Sequence, residues 1–162
     1  MGRFARGCIF RQIWHMKVFL DTNVILEFFI EREDVRTAAQ LFKRLKDNKA
    51  ELYMSVGSFY TMLFLIDKYL RKELGLTGDI RIAILRSLAL KIVKAISVAG
   101  HDSESLLRGV ENIQFNDIED SCQHEAAVTK CCDCIITYNV KDYPHSLLPV
   151  LSPGEFLQTF KS

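Results

Sequence analysis

The sequence predicts an α/β fold in which a mainly parallel sheet is covered by helices on both faces. Short apolar runs alternate with segments of helical spacing along the chain, and no linker, repeat or low-complexity stretch interrupts them. This alternation is typical of strand–helix–strand units. The first apolar run, at 18–20, stops abruptly at Asp21, as a buried strand does when it delivers a carboxylate to the carboxyl edge of a parallel sheet.

Helical spacing and caps place the elements of the first half. Asp34 is the expected cap of a helix whose apolar positions recur every three or four residues, as at Ala38, Leu41 and Leu45. The expected elements are a strand over 18–20, a helix over 24–30, the helix capped by Asp34, a strand over 51–54, an apolar helix opening at Ser55 or Ser58 and stopping before Gly75, a helix from Gly78 and Asp79, and a strand over 95–99.

The second half follows the same alternation. A helix over 103–110 precedes an acidic turn at 116–120, which opens a helix to roughly residue 130. Strands are expected at 134–137 and near 149–151, and Pro153 begins a closing helix because proline is favoured in a first helical turn. The count is about five strands.

Composition bounds the remaining properties. With 162 residues, 49% of them apolar, the chain can bury one core. A net charge of +1 neither favours nor excludes nucleic acid. Five cysteines without a regular framework suggest a reducing cytoplasm, and no apolar run approaches the roughly 18 residues of a membrane span. We expect residues 1–15 to be an extension outside the fold, with residues 16–162 forming the domain and Met16 as a candidate native start.

Two acidic clusters, about a hundred residues apart, are candidates for one site. Asp21-Thr22-Asn23 follows the first strand, and Asn116-Asp117-Ile118-Glu119-Asp120 opens a late helix. If that helix begins beside the same sheet edge, three carboxylates converge, and such a group needs a divalent cation to stay ionised. Asp117 and Asp120, three residues apart, would share a helix face. The alternative is structural: Asp21 as a turn former, and Asp117 as a helix cap.

A third motif, Ile135-Ile136-Thr137-Tyr138-Asn139-Val140-Lys141-Asp142-Tyr143, completes a pattern that resembles the PIN domain family from Met16 to the C-terminus. The resemblance implies a three-layer α/β/α, Rossmann-like fold and a Mg²⁺- or Mn²⁺-dependent ribonuclease, many bacterial members being VapC-like toxins. It also implies an RNA substrate and an antitoxin partner. A homodimer is plausible, through apolar helices near Phe28 and Phe29 or Phe59 and Phe64.

The resemblance assigns roles unevenly. It implies that Asp21 and Asp120 bind metal, that Asp117 and Asp142 supply further carboxylates, and that Asp21, Asp117 and Asp120 are catalytic. Beside them, Asn23 would orient Asp21, while Thr61, Thr137 and Asn139 would contact phosphate or water. Thr61 and Asn139 stand where many relatives carry acids, which thins the metal shell. Each hydroxyl or amide has a structural alternative, as a backbone partner or turn residue. Basic residues that could flank the groove are Arg32, Arg36, Lys68 and Lys141.

Two function classes therefore stay open: an active ribonuclease toxin, or a catalytically weak PIN-fold module that binds RNA or protein. A phosphohydrolase on another Rossmann-like fold is a third reading, weakened because Asn23 rather than an aspartate follows Asp21 by two residues. The run Cys131-Cys132-Asp133-Cys134 could join Cys122 and His124 in a zinc site, but small buried residues at a helix-to-strand junction explain the cysteines more simply.

Overall fold

A computed structural model of the chain describes residues 15–30 and 33–160. Five strands form one sheet in the order β3-β2-β1-β4-β5, where β1 is Lys17–Leu20, β2 is Glu51–Ser55, β3 is Ser97–Ala99, β4 is Cys134–Ile136 and β5 is Val150–Leu151. Every strand pair is parallel. The α/β class and the five parallel strands predicted from the sequence are confirmed.

Seven helices surround the sheet in the described residues. They are α1 Thr22–Phe29, α2 Val35–Asp47, α3 Val56–Lys72, α4 Gly78–Ala95, α5 Ser103–Glu111, α6 Ile118–Thr129 and α7 Pro153–Thr159, with a short 3₁₀ helix at Val140–Asp142. None of these helices is both long enough and apolar enough to cross a bilayer.

Alternate residues of the central strand β1 face opposite sides of the sheet, because side chains in a strand alternate. Val18 and Leu20 belong to the larger core cluster, which also contains buried residues of α1, α2, α3 and α4. Phe19 lies on the other side with Ile135, in a smaller cluster that includes Ala126 of α6. Both faces of the sheet are thus covered, and β1 is completely buried from Val18 to Leu20.

The strand order reverses at β1, which is flanked by β2 on one side and β4 on the other. In open parallel sheets such a reversal leaves a crevice at the carboxyl ends of the strands. Asp21 follows β1 and its backbone N–H donates to the carbonyl of Ile136 at 3.0 Å. Thr137 follows β4. The ends of the two strands are therefore joined at the crevice, side by side.

Helix α6 is positioned by close packing against α5. A Cβ on Gly109 would lie 2.9 Å from Cys122 Sγ and 3.1 Å from Cys122 Cα, so only glycine allows the two helices to approach this closely. The buried hydroxyl of Ser121 donates to the Gly109 carbonyl at 2.7 Å. This contact sets the start of α6, and with it the acidic cluster, beside the sheet edge.

Differences from the predicted elements lie mainly around α4. The strand expected at 95–99 begins only at Ser97, because α4 continues to Ala95 before the chain extends at Ile96. Along α4, Ile82 is 38% exposed, whereas Ile92 is fully buried. Of the two expected openings of α3, Ser55 is the cap: its hydroxyl accepts from the Ser58 N–H at 2.9 Å. The expected extension, at 1–15, lies outside the described residues apart from His15.

Candidate active site

A cleft of about 530 Å³ opens at the carboxyl edge of the sheet, between α1, α3 and the start of α6. Seven of the eight candidate residues line it, and the eighth, Thr137, lies behind Asp21 and donates to it. Parallel strands and helix N-termini meet at this edge, so residues far apart in sequence share one wall. The seven lining residues are Asp21, Asn23, Thr61, Asp117, Asp120, Asn139 and Asp142.

Asp21 is the most deeply placed carboxylate, with only 4% of its surface exposed. Its Oδ2 accepts from Thr137 Oγ1 at 2.6 Å and from Asn23 Nδ2 at 2.8 Å. Burial raises the pKa of Asp21, and the hydrogen bond from Thr137 opposes that rise. A buried carboxylate held by two donors is fixed in position. A residue that only forms a turn would need neither the burial nor the two donors.

Asn23 and Thr137 form a small network that holds Asp21 in place. Asn23 Oδ1 accepts from the Tyr138 N–H at 3.1 Å, and Thr137 Oγ1 accepts from the Asn139 N–H at 2.9 Å. The amide of Asn23 also reaches Thr137 Oγ1 at 3.2 Å. Both side chains therefore connect Asp21 to the backbone that follows β4, an arrangement in which they orient its carboxylate.

Asp120 stands opposite at the first turn of α6 and is half-buried. Its pKa is raised to about 7, first by burial and then by the negative charges of Asp21, Asp117, Asp142 and Glu119. The buried phenol of Tyr143 donates to Asp120 Oδ1 at a long 3.5 Å. Burial, and then the charges of Asp21, Asp120 and Glu119, raise the pKa of Tyr143, so this group stays a donor. Without a cation, the carboxyl groups of the cleft do not all ionise readily, because each negative charge disfavours the next.

Asp117 is the N-cap of α6, as the structural alternative held. Its Oδ1 accepts from the N–H of Glu119 at 2.6 Å and from the N–H of Asp120 at 3.3 Å. One carboxylate oxygen is thereby engaged at the helix terminus, although the residue still lines the cleft. Asp117 thus positions Asp120, and whether it also binds a ligand stays a prediction.

The remaining predicted residues form the rim. Asn139 is exposed and Asp142 half-buried, at either end of the 3₁₀ helix, while Thr61 faces the cleft from α3. The basic residues Arg36, Lys68 and Lys141 are exposed, and Arg32 lies outside the described residues. No lysine or arginine of the described ranges lines the cleft wall. The wall is therefore acidic, and a basic rim stays a prediction.

Sequence reasoning missed three residues of the cleft and its support: Glu119, Gln123 and Tyr143. Glu119 belonged to the acidic motif but was assigned no role. Gln123 lies one turn after it on the same helix face, at the i+4 spacing that could have identified it. Tyr143, seven residues beyond the end of β4 and directly after the 3₁₀ helix, closed the third motif but was likewise assigned no role.

The donor set suits a hard cation. Carboxylate and amide oxygens are what Mg²⁺ and Mn²⁺ take, and Mg²⁺ often uses only one or two protein carboxylates with waters and substrate phosphate. Within 15–30 and 33–160, no three His, Cys, Asp or Glu side chains are close enough together to hold an ion. Asp21 and Asp120 thus fit a hydrated cation rather than a closed protein cage.

The cysteines provide no zinc site in the same ranges. Cys132 and Cys134 are buried, and burial raises the pKa of each thiol to about 12, so neither is a ready thiolate ligand. His124, which could have joined them, is buried against Phe115, and its Nε2 accepts from the Leu147 N–H at 3.0 Å. The buried pair packs as small apolar side chains.

The fold is a parallel α/β/α sandwich with carboxylates where the strand order reverses. These features define the class of the protein, and a family model matches the same class. The model described as PIN domain matches residues 17–141. The chain belongs to the PIN domain family, as its motifs indicated.

The individual proteins that resemble this chain share only part of its sequence. Ribonuclease VapC1 of Aquifex aeolicus (strain VF5) is 27% identical over 147 residues, which are 90% of this chain and 96% of that protein. FitAcB from Neisseria gonorrhoeae superposes with a TM-score of 0.65 at 14% identity, covering 85% of this chain and 98% of that one. VapBC-1 from nontypeable Haemophilus influenzae gives 0.62 at 15% identity, covering 86% and 99%. At such low identity these two structures show the shared fold.

Proposed function

We propose that this protein is a divalent-metal-dependent endoribonuclease of the VapC-like toxin type. One observation carries the proposal: Asp21 and Asp120, about a hundred residues apart, share a cleft in which burial, and then the charges of the other carboxylates, raise the pKa of Asp120 to about 7. Groups that repel each other this strongly are stable together when a cation lies between them. Family membership and the similarity to a protein named Ribonuclease VapC1 support the same reaction class.

Each residue has a role that its contacts support. Asp21 and Asp120 would hold the cation, and Asp142 at the rim would add charge or position water. A divalent cation held there supplies Lewis acidity, which lowers the pKa of water and offsets charge developing on the phosphate. Thr137 and Asn23 keep the Asp21 carboxylate aimed at the cleft. Thr61 and Asn139 would offer a hydroxyl and an amide to phosphate oxygens.

The toxin assignment brings a partner with it. VapC-like proteins work against an antitoxin, so we propose a small cognate protein that occupies the acidic cleft through basic side chains, and RNA as substrate. The acidic wall supports that charge complementarity. A structure of VapBC2 from Rickettsia felis, bound to a promoter DNA fragment, shares this fold at a TM-score of 0.63.

The test is cleavage of a mixed pool of structured RNAs by the purified protein with Mn²⁺ or Mg²⁺. Asp21→Asn and Asp120→Asn should each abolish cleavage, and Asp47→Asn, an exposed aspartate on α2, is the matched control. Chelation of the divalent metal should stop cleavage by the wild type. A wild type that cleaves nothing and gains no thermal stability from Mn²⁺ would instead favour the catalytically weak, RNA- or protein-binding module.

A further inference from the structure

The carboxylates that line the cleft come from β1, α6 and the 3₁₀ helix, and α3 contributes none. Its polar cleft-facing residue is Thr61, the position for which the sequence resemblance implied an acid in many relatives. The wall opposite α6 is therefore a hydroxyl flanked by the apolar side chain of Leu65. A cation site built from Asp21 and Asp120 alone would be weak, because affinity falls as charged ligands are removed.

Glu119 occupies the space across from that hydroxyl. It lines the same cleft at the first turn of α6 and is exposed, so a ligand can reach it. Burial and then the charges of Asp117 and Asp21 raise the pKa of Glu119, while the nearby Thr61 hydroxyl partly offsets the rise. Glu119, Asp21 and Thr61 all line this one cleft.

Gln123 provides an independent sign of a ligand. It lies one turn after Glu119 on α6, is 2% exposed and lines the cleft. Its amide is near enough to Asp21 to lower the pKa of that carboxylate, yet Gln123 Oε1 is buried with no hydrogen-bond partner among the described residues. A buried acceptor oxygen without a donor is costly unless a water or cation completes it.

We propose that Glu119, with Gln123 behind it, supplies the cation site with the carboxylate that α3 lacks at Thr61. The proposal rests on the proposed function, since it concerns the same cation. It predicts a spatial substitution: one acid moved from the α3 wall to the facing turn of α6. Because no three acidic side chains of the described residues are close enough together to hold an ion directly, Glu119 then reaches the divalent ion through a bound water, and Gln123 Oε1 accepts from that water.

The test is Mn²⁺ affinity of the purified full chain, measured by the electron paramagnetic resonance signal of free Mn²⁺, with no RNA present. Glu119→Gln should weaken binding by about tenfold or more. Glu73→Gln is the control, because Glu73 is exposed at the far end of α3, about 18 Å along the helix from Thr61. Adding Thr61→Glu to Glu119→Gln should restore most of the affinity.

The outcomes separate the two proposals. If the Glu119→Gln variant binds Mn²⁺ as tightly as the wild type does, and the Asp21→Asn variant does not bind it, the role of Glu119 is overturned and the proposed function stands. A wild type that binds no Mn²⁺ overturns both. Weak binding by Glu119→Gln without rescue by Thr61→Glu, in variants whose melting curves match the wild type, overturns the substitution across the cleft.

Discussion

Asp120→Asn is expected to stabilise the metal-free protein above pH 7. Because the pKa of Asp120 is about 7 in the folded state and 3.8 ordinarily, the folded state holds more protons between these values. The free energy of unfolding therefore falls as pH rises from about 4 to about 7, and the loss persists at higher pH. Asparagine keeps the size of the side chain and removes the charge that burial, and then the neighbouring carboxylates, disfavour.

The magnitude follows from the shift. The pKa of Asp120 rises from 3.8 to about 7. Since each pKa unit corresponds to about 1.4 kcal/mol, the loss in the free energy of unfolding has an upper limit of about 4 kcal/mol. Asp120 is only half-buried and its neighbours can relax or take up protons, so we expect about 1–3 kcal/mol at pH 8 and little difference at pH 4.

Urea denaturation with a chelator present, at pH 4, 6 and 8, measures this directly. Asp47→Asn is the control, since Asp47 is exposed and its ion pair is with Lys43 one turn earlier on α2, an interaction worth a few tenths of a kcal/mol. Asp120→Asn as stable as the wild type at pH 8, or less stable, would refute the claim that repulsion in the cleft opposes folding. Mn²⁺ should reverse the order by stabilising the wild type alone.

Two other substitutions test the support of the site. Gly109→Ala should destabilise the fold by about 1–2 kcal/mol in urea denaturation, since the new Cβ meets Cys122 and the better helix propensity of alanine recovers only part of the loss. Gly154→Ala, with open space around the new Cβ, is the control and should be neutral. Equal stability of the two variants would contradict the packing argument. Thr137→Val should cost about 1–3 kcal/mol by removing a donor from buried Asp21, and unchanged stability and cleavage would show that the hydroxyl is dispensable.

Local patterns were enough to predict most elements. The run at 18–20, the cap at Ser55 and the proline at the start of α7 each act over a few residues, so they can be identified without the fold. The α7 cap is a capping box, with Ser152 and Glu155 satisfying each other's backbone N–H. The end of α4 could not be predicted in this way, because pairing of the edge strand β3 with β2 decides where the helix gives way.

The sequence by itself determined the fold class, the placement of Asp21 after a buried strand and of Asp120 on a helix start, and so the family. Only the tertiary structure decided which acids act on one another. The pKa of Asp120 and the pKa of Glu119 depend on distances between segments up to about a hundred residues apart. Charge coupling falls with distance in space, and sequence separation does not determine that distance.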